Sequence, residues 1–261
     1  MPGLIAPSPS DAIYERIRRR ARRIVSRFPL PDFYADFPGA VRLSRRFFDE
    51  DPHVARLRAY VVALLDEDFG HGLDHAVKVT LDAGALAAIE WLRVGRERRS
   101  LCRRVRLAQM AGLLHDVRRK EPEHAVVGAE TARIVLRRFP LSTPDVEDVA
   151  AAIRNHEAFK TPIPVDTPEG RLISDCLYDA DKFRWGPDNF TDTVWDMVAF
   201  AGIPLREFME RYPRGMDMLA RIERTFRTET GRRYGPGFIR AGLAIGWEIH
   251  RMIREEFGDE L

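Results

Sequence analysis

The sequence predicts an all-α fold, built as a single helical domain. Apolar residues return every three or four positions along most of the 261-residue chain, which is the spacing of an amphipathic helix. No stretch shows a convincing alternation of apolar and polar residues, the pattern of a strand, and no internal repeat is visible. The hydrophobic content of 45% is enough for one sizeable core.

In the first half of the chain, turn and capping residues delimit the predicted helices. These helices cover residues 11–27, 52–66, 73–92 and 100–116. Pro52 suits the first position of the second helix, and Ser100 can cap the fourth. The two glycines of the DFGHGLDH segment indicate a turn into the third. Residues 31–50 are predicted to be irregular, because Pro31 and Pro38 break an aromatic stretch.

Prolines also delimit the predicted helices of the second half. These cover residues 122–138, 143–157, 168–181, 189–201, 204–228 and 237–257. Pro140 ends the first of them, and Pro168 suits the first position of the third. The segment 158–167 contains two prolines and is predicted to be a loop. An interruption is expected near Pro213.

The composition excludes several classes of protein. The opening MPGLIAPSPS lacks the basic segment and long apolar core of a secretory signal, and no apolar run approaches the length of a membrane span. Cys102 and Cys176 form no CxxC pair, and we interpret both as small apolar residues of a protein from a reducing compartment. We therefore expect a cytoplasmic protein with no membrane partner.

The basic residues do not indicate a nucleic-acid site. The formal net charge is only +2, and 38 of the 42 basic residues are arginine, so basic clusters arise by chance. We interpret the cluster IRRRARR at residues 17–23 as the solvated face of an amphipathic helix.

Five of the seven histidines lie close together in the sequence, at His71, His75, His115, His124 and His156. Three of them begin or end apolar stripes on successive predicted helices, and small residues such as Gly112 on these faces allow neighbouring helices to approach. A single histidine of this kind is most often a satisfied core residue. Five of them near Asp116 and the triplet Asp179-Ala180-Asp181 indicate one metal site. Imidazole and carboxylate ligands accept Mn, Fe, Zn, Co, Ni or Mg, and the lack of cysteine ligands argues against structural zinc.

Five motifs follow one another through the middle of the chain. They are HGLDH ending at His75, AGLLHD ending at Asp116, EHAVVGAE, AIRNHE and LYDADKF. This ordered set resembles the HD-domain superfamily of metal-dependent phosphohydrolases over about residues 66–185. The resemblance implies a helical bundle of the HD type that hydrolyses phosphoesters at a site of one or two metals. It implies three parts: an N-terminal helical extension (1–65) packed on the core, the metal-binding core (66–185), and C-terminal helices (186–261) that complete the same domain.

The resemblance also implies the metal ligands. The first divalent metal would be held by His75, His115, Asp116 and Asp181. Asp179 is the rival for the last position, because helical spacing alone does not separate the two aspartates. His124 and His156 would bind a second metal or contact the substrate phosphate.

Other residues are expected to act on the substrate or to support the ligands. Asp116 or a neighbouring carboxylate would both bind metal and orient the attacking water. The family often has a basic residue just after the HD pair, where this chain has Arg118 and Arg119, and Arg119 would contact the phosphate. Lys120 would contact it as well, because it is one of four lysines that each follow a proposed ligand by one to four positions. Three more residues are expected either to contact the substrate or to hold a metal ligand in position. They are His71, Asp179 and Lys182.

Three functions stay open from the sequence. The first is a phosphohydrolase acting on a small phosphorylated substrate, in particular a nucleotide. The second is a di-iron oxygenase on the same scaffold, and the third is a silent regulatory module that binds metal or ligand. The gap between Asp116 and His124 is shorter than in many dinuclear members, which weighs against a second metal. A homodimer is the default oligomeric state.

Overall fold

The computed structural model describes residues 9–66, 72–95, 97–191 and 193–261. Over these ranges it contains twelve α-helices, two short 3-10 helices and no strand, so the predicted all-α class is confirmed. The helices are α1 Pro9–Val25, α2 Asp32–Asp36, α3 Pro38–Glu50, α4 Pro52–Asp66, α5 Leu73–Arg93, α6 Arg98–Leu114, α7 His124–Leu136, α8 Thr143–Arg154, α9 Pro168–Phe183, α10 Thr193–Phe200, α11 Leu205–Ile222 and α12 Glu229–Glu256. The 3-10 helices are Pro187–Phe190 and Gly258–Glu260.

The prediction of an irregular segment over residues 31–50 is wrong. Two helices, α2 and α3, occupy it. Pro38 lies in the first turn of α3, where a backbone N–H has no helical acceptor and its absence costs nothing. The expected interruption near Pro213 is also wrong, because α11 runs through this residue.

The described residues divide into two compact units. One comprises 9–31, Trp185–Glu223 and Gly237–Leu261, and the other comprises the described parts of Asp32–Arg184 together with Arg224–Pro236. Helix α12 contributes residues to both. The division into extension, core and C-terminal helices stays a prediction.

The larger unit holds the predicted metal ligands on tightly packed helices. In it, α5 packs against α3, α6 and α9, while α8 packs against α7 and α9. Helices α5 and α6 approach each other closely at Gly112, where an added Cβ would lie 2.6 Å from the Thr80 Cα and 2.8 Å from its Oγ1. Glycine is therefore required at this helix crossing, as the sequence suggested.

The smaller unit has its own aromatic core. The Tyr14 hydroxyl donates to the Ile203 main-chain oxygen, and the Tyr212 hydroxyl donates to that of Gly246 (both 2.7 Å). The Trp195 ring packs beside Tyr14. Within the described ranges, no helix combines the length and the apolar character needed to cross a membrane.

Candidate metal centre

The predicted ligands come together because each lies at or near the end of a helix. His75 is in the first turn of α5, and His115 directly follows α6. His124 is the first residue of α7, His156 lies two positions beyond α8, and Asp181 is in the last turn of α9. The helix ends converge, so that short main-chain segments present the side chains to a common point.

The first donor group consists of His75, His115 and Asp181. The two Nε2 atoms of the histidines are 3.2 Å apart. The Asp181 Oδ1 lies 3.2 Å from the His75 Nε2 and 3.8 Å from the His115 Nε2. Three ligand atoms on three different helices or helix ends are thus close enough to share one cation.

The second donor group consists of Asp116, His124 and His156. The Nε2 atoms of its two histidines are 3.3 Å apart. The Asp116 Oδ1 lies 3.7 Å from the His124 Nε2 and 3.5 Å from the His156 Nε2. Despite the short gap between Asp116 and His124, this group forms. The chain between them runs in turns, and Glu123 adopts a left-handed conformation (φ 53°) that redirects it into α7.

Asp116 joins the two groups. While its Oδ1 faces the second group, its Oδ2 lies 3.6 Å from the His115 Nε2 and 3.9 Å from the His75 Nε2. A carboxylate that presents one oxygen to each of two donor groups has the arrangement of a bridging ligand.

The comparisons with known proteins assign a family to this stretch. The HD domain family matches residues 72–184, which is less than half of the chain but includes every ligand of both groups. This stretch of the chain is similar to an HD domain. HD domains bind divalent metals and belong to families of metal-dependent hydrolases.

No curated protein matches the chain. A solved structure from an uncultured Thermotogales bacterium, described as a predicted HD superfamily hydrolase, is similar to it at 21% sequence identity. The match has a TM-score of 0.48 and covers 81% of this chain and 97% of that one.

The donor atoms of the two groups fit a divalent cation. The His115 Nδ1 lies 2.8 Å from the Gly112 main-chain oxygen, and the His156 Nδ1 lies 2.6 Å from that of Ile153. A carbonyl oxygen only accepts, so in the neutral ring Nδ1 carries the proton and Nε2 presents its lone pair to the site. Ligand atoms about 2.1 Å from one ion are separated by about 3.0–3.4 Å. The Nε2 pairs have this separation.

Sequence reasoning missed the two carbonyl groups that orient these rings. Gly112 and Ile153 each precede a ligand histidine by three positions at the end of a helix. This spacing lets the last turn of the helix accept the Nδ1 proton of the histidine that follows. A histidine directly after an apolar helix is the signal that could have revealed this arrangement.

The charge states of His115, Asp116 and Asp181 also suit metal binding. Burial lowers the pKa of His115 to about 4, so the ring is neutral at pH 7. Burial opposes ionisation of Asp181, but the Lys182 ammonium and the nearby histidines outweigh it and hold the pKa of this carboxyl well below its usual range. The pKa of Asp116 is lowered as well, because the rings of His115 and His156 outweigh the effect of burial. Neutral imidazole and ionised carboxylate are the forms that bind a metal.

The structure places the two competing aspartates differently. Asp181 belongs to the first donor group, whereas Asp179 belongs to neither group and is fully buried. The Asp179 carboxylate accepts hydrogen bonds from the main-chain N–H groups of Arg227 and Thr228 (2.8 Å each) and from the Thr228 hydroxyl (2.7 Å). It therefore anchors the segment before α12.

The predicted basic residues occupy different positions around the site. Lys182 is buried, and its ammonium contacts the Asp181 Oδ2, leaving Oδ1 for the donor group. The Arg119 Nη1 lies 3.4 Å from the Asp116 Oδ2, and its side chain is 45% exposed. Lys120 is exposed. His71 lies outside the described residues.

Proposed function

We propose that the protein is a metal-dependent phosphohydrolase that cleaves a phosphoester of a small phosphorylated molecule, in particular a nucleotide. The observation that carries the proposal is the position of Asp116, whose two oxygens face two separate histidine pairs. Two cations held in this way are suited to bind the substrate phosphate on one side and to hold the attacking water on the other. A structural site would close around one ion and would not need a shared carboxylate.

The residues of the two groups have separate roles in this proposal. His75, His115 and Asp181 would hold one divalent ion, His124 and His156 would hold the other, and Asp116 would bind both. When bound, the ions supply charge neutralisation at the phosphate and a water of lowered pKa. Asp116 would bind to both ions and would orient the water for in-line attack on phosphorus.

Arg119 is our candidate for the phosphate contact. Its guanidinium is at the exposed edge of the site, next to the Asp116 Oδ2. The planar guanidinium of Arg119 has the geometry to donate two parallel hydrogen bonds to a phosphate at this edge. Lys120, the next residue, would add charge at the same edge. The buried Lys182 would act on Asp181 and not on the substrate.

The second donor group also favours a second candidate function. Four imidazoles and two carboxylates, one of them bridging, can hold two irons, and this set suits a di-iron oxygenase on the same scaffold. Oxygen consumption by the iron-loaded protein distinguishes this candidate. A silent regulatory module would bind metal and show neither phosphate release nor oxygen consumption.

The test is phosphate release from a panel of nucleotides and simple phosphoesters. Metal-stripped protein is supplied in turn with Mn²⁺, Mg²⁺, Co²⁺, Ni²⁺ and Fe²⁺. Asp116→Ala is run beside Asp217→Ala, which changes an exposed aspartate of α11. We expect turnover with at least one metal, full activity in Asp217→Ala and a loss of at least about 1,000-fold in Asp116→Ala, as for residues that bind the reacting groups. Silence across the panel with metal bound would contradict the hydrolase.

A further inference from the structure

Arg227 lies outside the matched HD domain, yet it contacts two of the elements that carry metal ligands. Its main-chain N–H donates to the Asp179 Oδ1 on α9. Its guanidinium stacks on the Tyr178 ring of the same helix, with Cζ 3.6 Å from the ring centroid. From there its Nη1 donates to the Asn155 main-chain oxygen at 2.9 Å. One side chain thus links α9 to the end of α8.

Asn155 is the residue at which the chain leaves α8. Its carbonyl is among the last of the helix and has no donor within it, so the arginine supplies the missing hydrogen bond. The Asn155 side chain is fixed as well, because Nδ2 donates to the Ile163 oxygen (3.0 Å) and Oδ1 accepts from the Ile163 N–H (2.8 Å). The next residue is His156, a member of the second donor group.

The Tyr178 ring also connects Arg227 to the first donor group, though less directly. The Lys182 Nζ lies 5.1 Å from the centroid of this ring and contacts Asp181. On this side a ring and an ammonium separate Arg227 from the metal ligand. On the side of the second group, only the peptide unit of Asn155 separates it from His156.

We propose that Arg227 is a positioning residue for the second metal. It holds the Asn155 carbonyl and thereby fixes the turn that directs His156 at Asp116. Arginine suits this role because its planar guanidinium can stack on a ring and donate in its own plane at the same time. The inference rests on the two-metal site proposed above. Loss of an outer partner of a metal ligand typically weakens binding about 10- to 100-fold.

The experiment is a calorimetric titration of the full metal-free chain with Mn²⁺ alone. Arg227→Met removes the donors and keeps the apolar stem, while Arg227→Lys restores a charge and a donor. Arg224→Met is the matched control, because it changes an exposed arginine in the same segment. We expect two binding events in the wild type. In Arg227→Met the first should be unchanged and the second weakened about 10- to 100-fold, with partial recovery in Arg227→Lys and wild-type behaviour in Arg224→Met.

Three results would overturn the inference. If the wild type binds two ions and Arg227→Met binds both equally well, only the role of Arg227 fails. If Arg227→Met weakens both events alike and Arg227→Lys recovers neither, the arginine supports the fold and not His156. Thermal unfolding of each metal-free variant measures that effect separately. If the wild type itself binds a single ion, the two-metal proposal fails, and the role of Arg227 fails with it.

Discussion

Gly112 offers a quantitative test of how the fold brings the ligands together. In Gly112→Ala, the new methyl group would lie 2.6 Å from the Thr80 Cα, far inside van der Waals contact. The Thr80 Cα is a main-chain atom, so no rotamer change relieves the clash and α5 must move away from α6. Overpacking of this kind costs about 1–3 kcal/mol. The higher helix propensity of alanine offsets about 1 kcal/mol of this cost. We therefore expect the free energy of unfolding to fall by up to about 2 kcal/mol.

The same movement would alter the site. Thr80 is five residues beyond His75 on α5, and Gly112 is three residues before His115. Separating the helices at their crossing should therefore widen the 3.2 Å distance between the two Nε2 atoms and weaken the first metal. We expect the metal-free variant to unfold at lower urea concentration than the wild type and to bind Mn²⁺ less tightly.

Gly215→Ala is the matched control for this experiment. Gly215 lies within α11, and an added Cβ would meet nothing within 4 Å. This substitution should raise stability by about 0.5–1 kcal/mol, because alanine is the better helix former. Urea unfolding followed by circular dichroism at the helical band measures both variants. A Gly112→Ala protein as stable as Gly215→Ala would refute the reasoning.

Three further predictions concern single residues of the metal centre and its surroundings. Lys182→Met should weaken the binding of the first Mn²⁺ about 10- to 100-fold, because Asp181 loses the ammonium that orients it. The control Lys160→Met changes an exposed lysine and should leave the affinity unchanged. Equal affinities in the two variants would exclude an orienting role for Lys182. Asp179→Ala removes the acceptor of three hydrogen bonds, two of them buried, and should cost about 3 kcal/mol in urea unfolding. Saturating Mn²⁺ should still fill both sites in this variant, in contrast to Asp181→Ala. Burial lowers the pKa of His115 from 6.5 to about 4, so the unfolded chain takes up the proton at a higher pH than the folded protein does. Between pH 6.5 and 4 the free energy of unfolding of the metal-free protein should therefore fall by about 3 kcal/mol relative to that of His115→Gln. If the two stability profiles ran parallel over this range, the prediction would be wrong.

The residues that the structure brings together could be predicted as candidate ligands, because that prediction depends on chemistry and order along the chain. Histidines at the ends of apolar stripes are unusual. The ordered set of five motifs, from His75 to Asp181, indicates that these histidines form a metal site. The orientation of the rings could not be predicted, because it depends on where each helix ends to within one residue. That limit also explains why the carbonyl groups of Gly112 and Ile153 were missed.

The choice between Asp179 and Asp181 was open for a physical reason. Two residues two positions apart on a helix point in nearly opposite directions, and both directions from α9 are buried in this protein. The side of Asp179 is covered by Arg227 and Thr228, which are almost fifty residues away in the sequence. Contacts at that separation leave no periodic signal.

The sequence argument against a second metal rested on the length of one loop. The segment from Val117 to Glu123 is shorter than the corresponding connection in many dinuclear members. A left-handed residue within a run of turns allows the short connection to bring His124 back towards Asp116. Glu123 is not a glycine or asparagine, so the sequence carries no indication of that conformation.

The most direct test of the central claim is the electron paramagnetic resonance spectrum of the full chain loaded with Mn²⁺. Two ions bridged by Asp116 would lie about 3.5–4 Å apart and couple magnetically. We predict two bound ions per chain and a coupled spectrum in the wild type and in the control His53→Ala, with loss of the coupling in Asp116→Ala. A wild-type spectrum of isolated ions, or a coupled spectrum that persists in Asp116→Ala, would contradict the account.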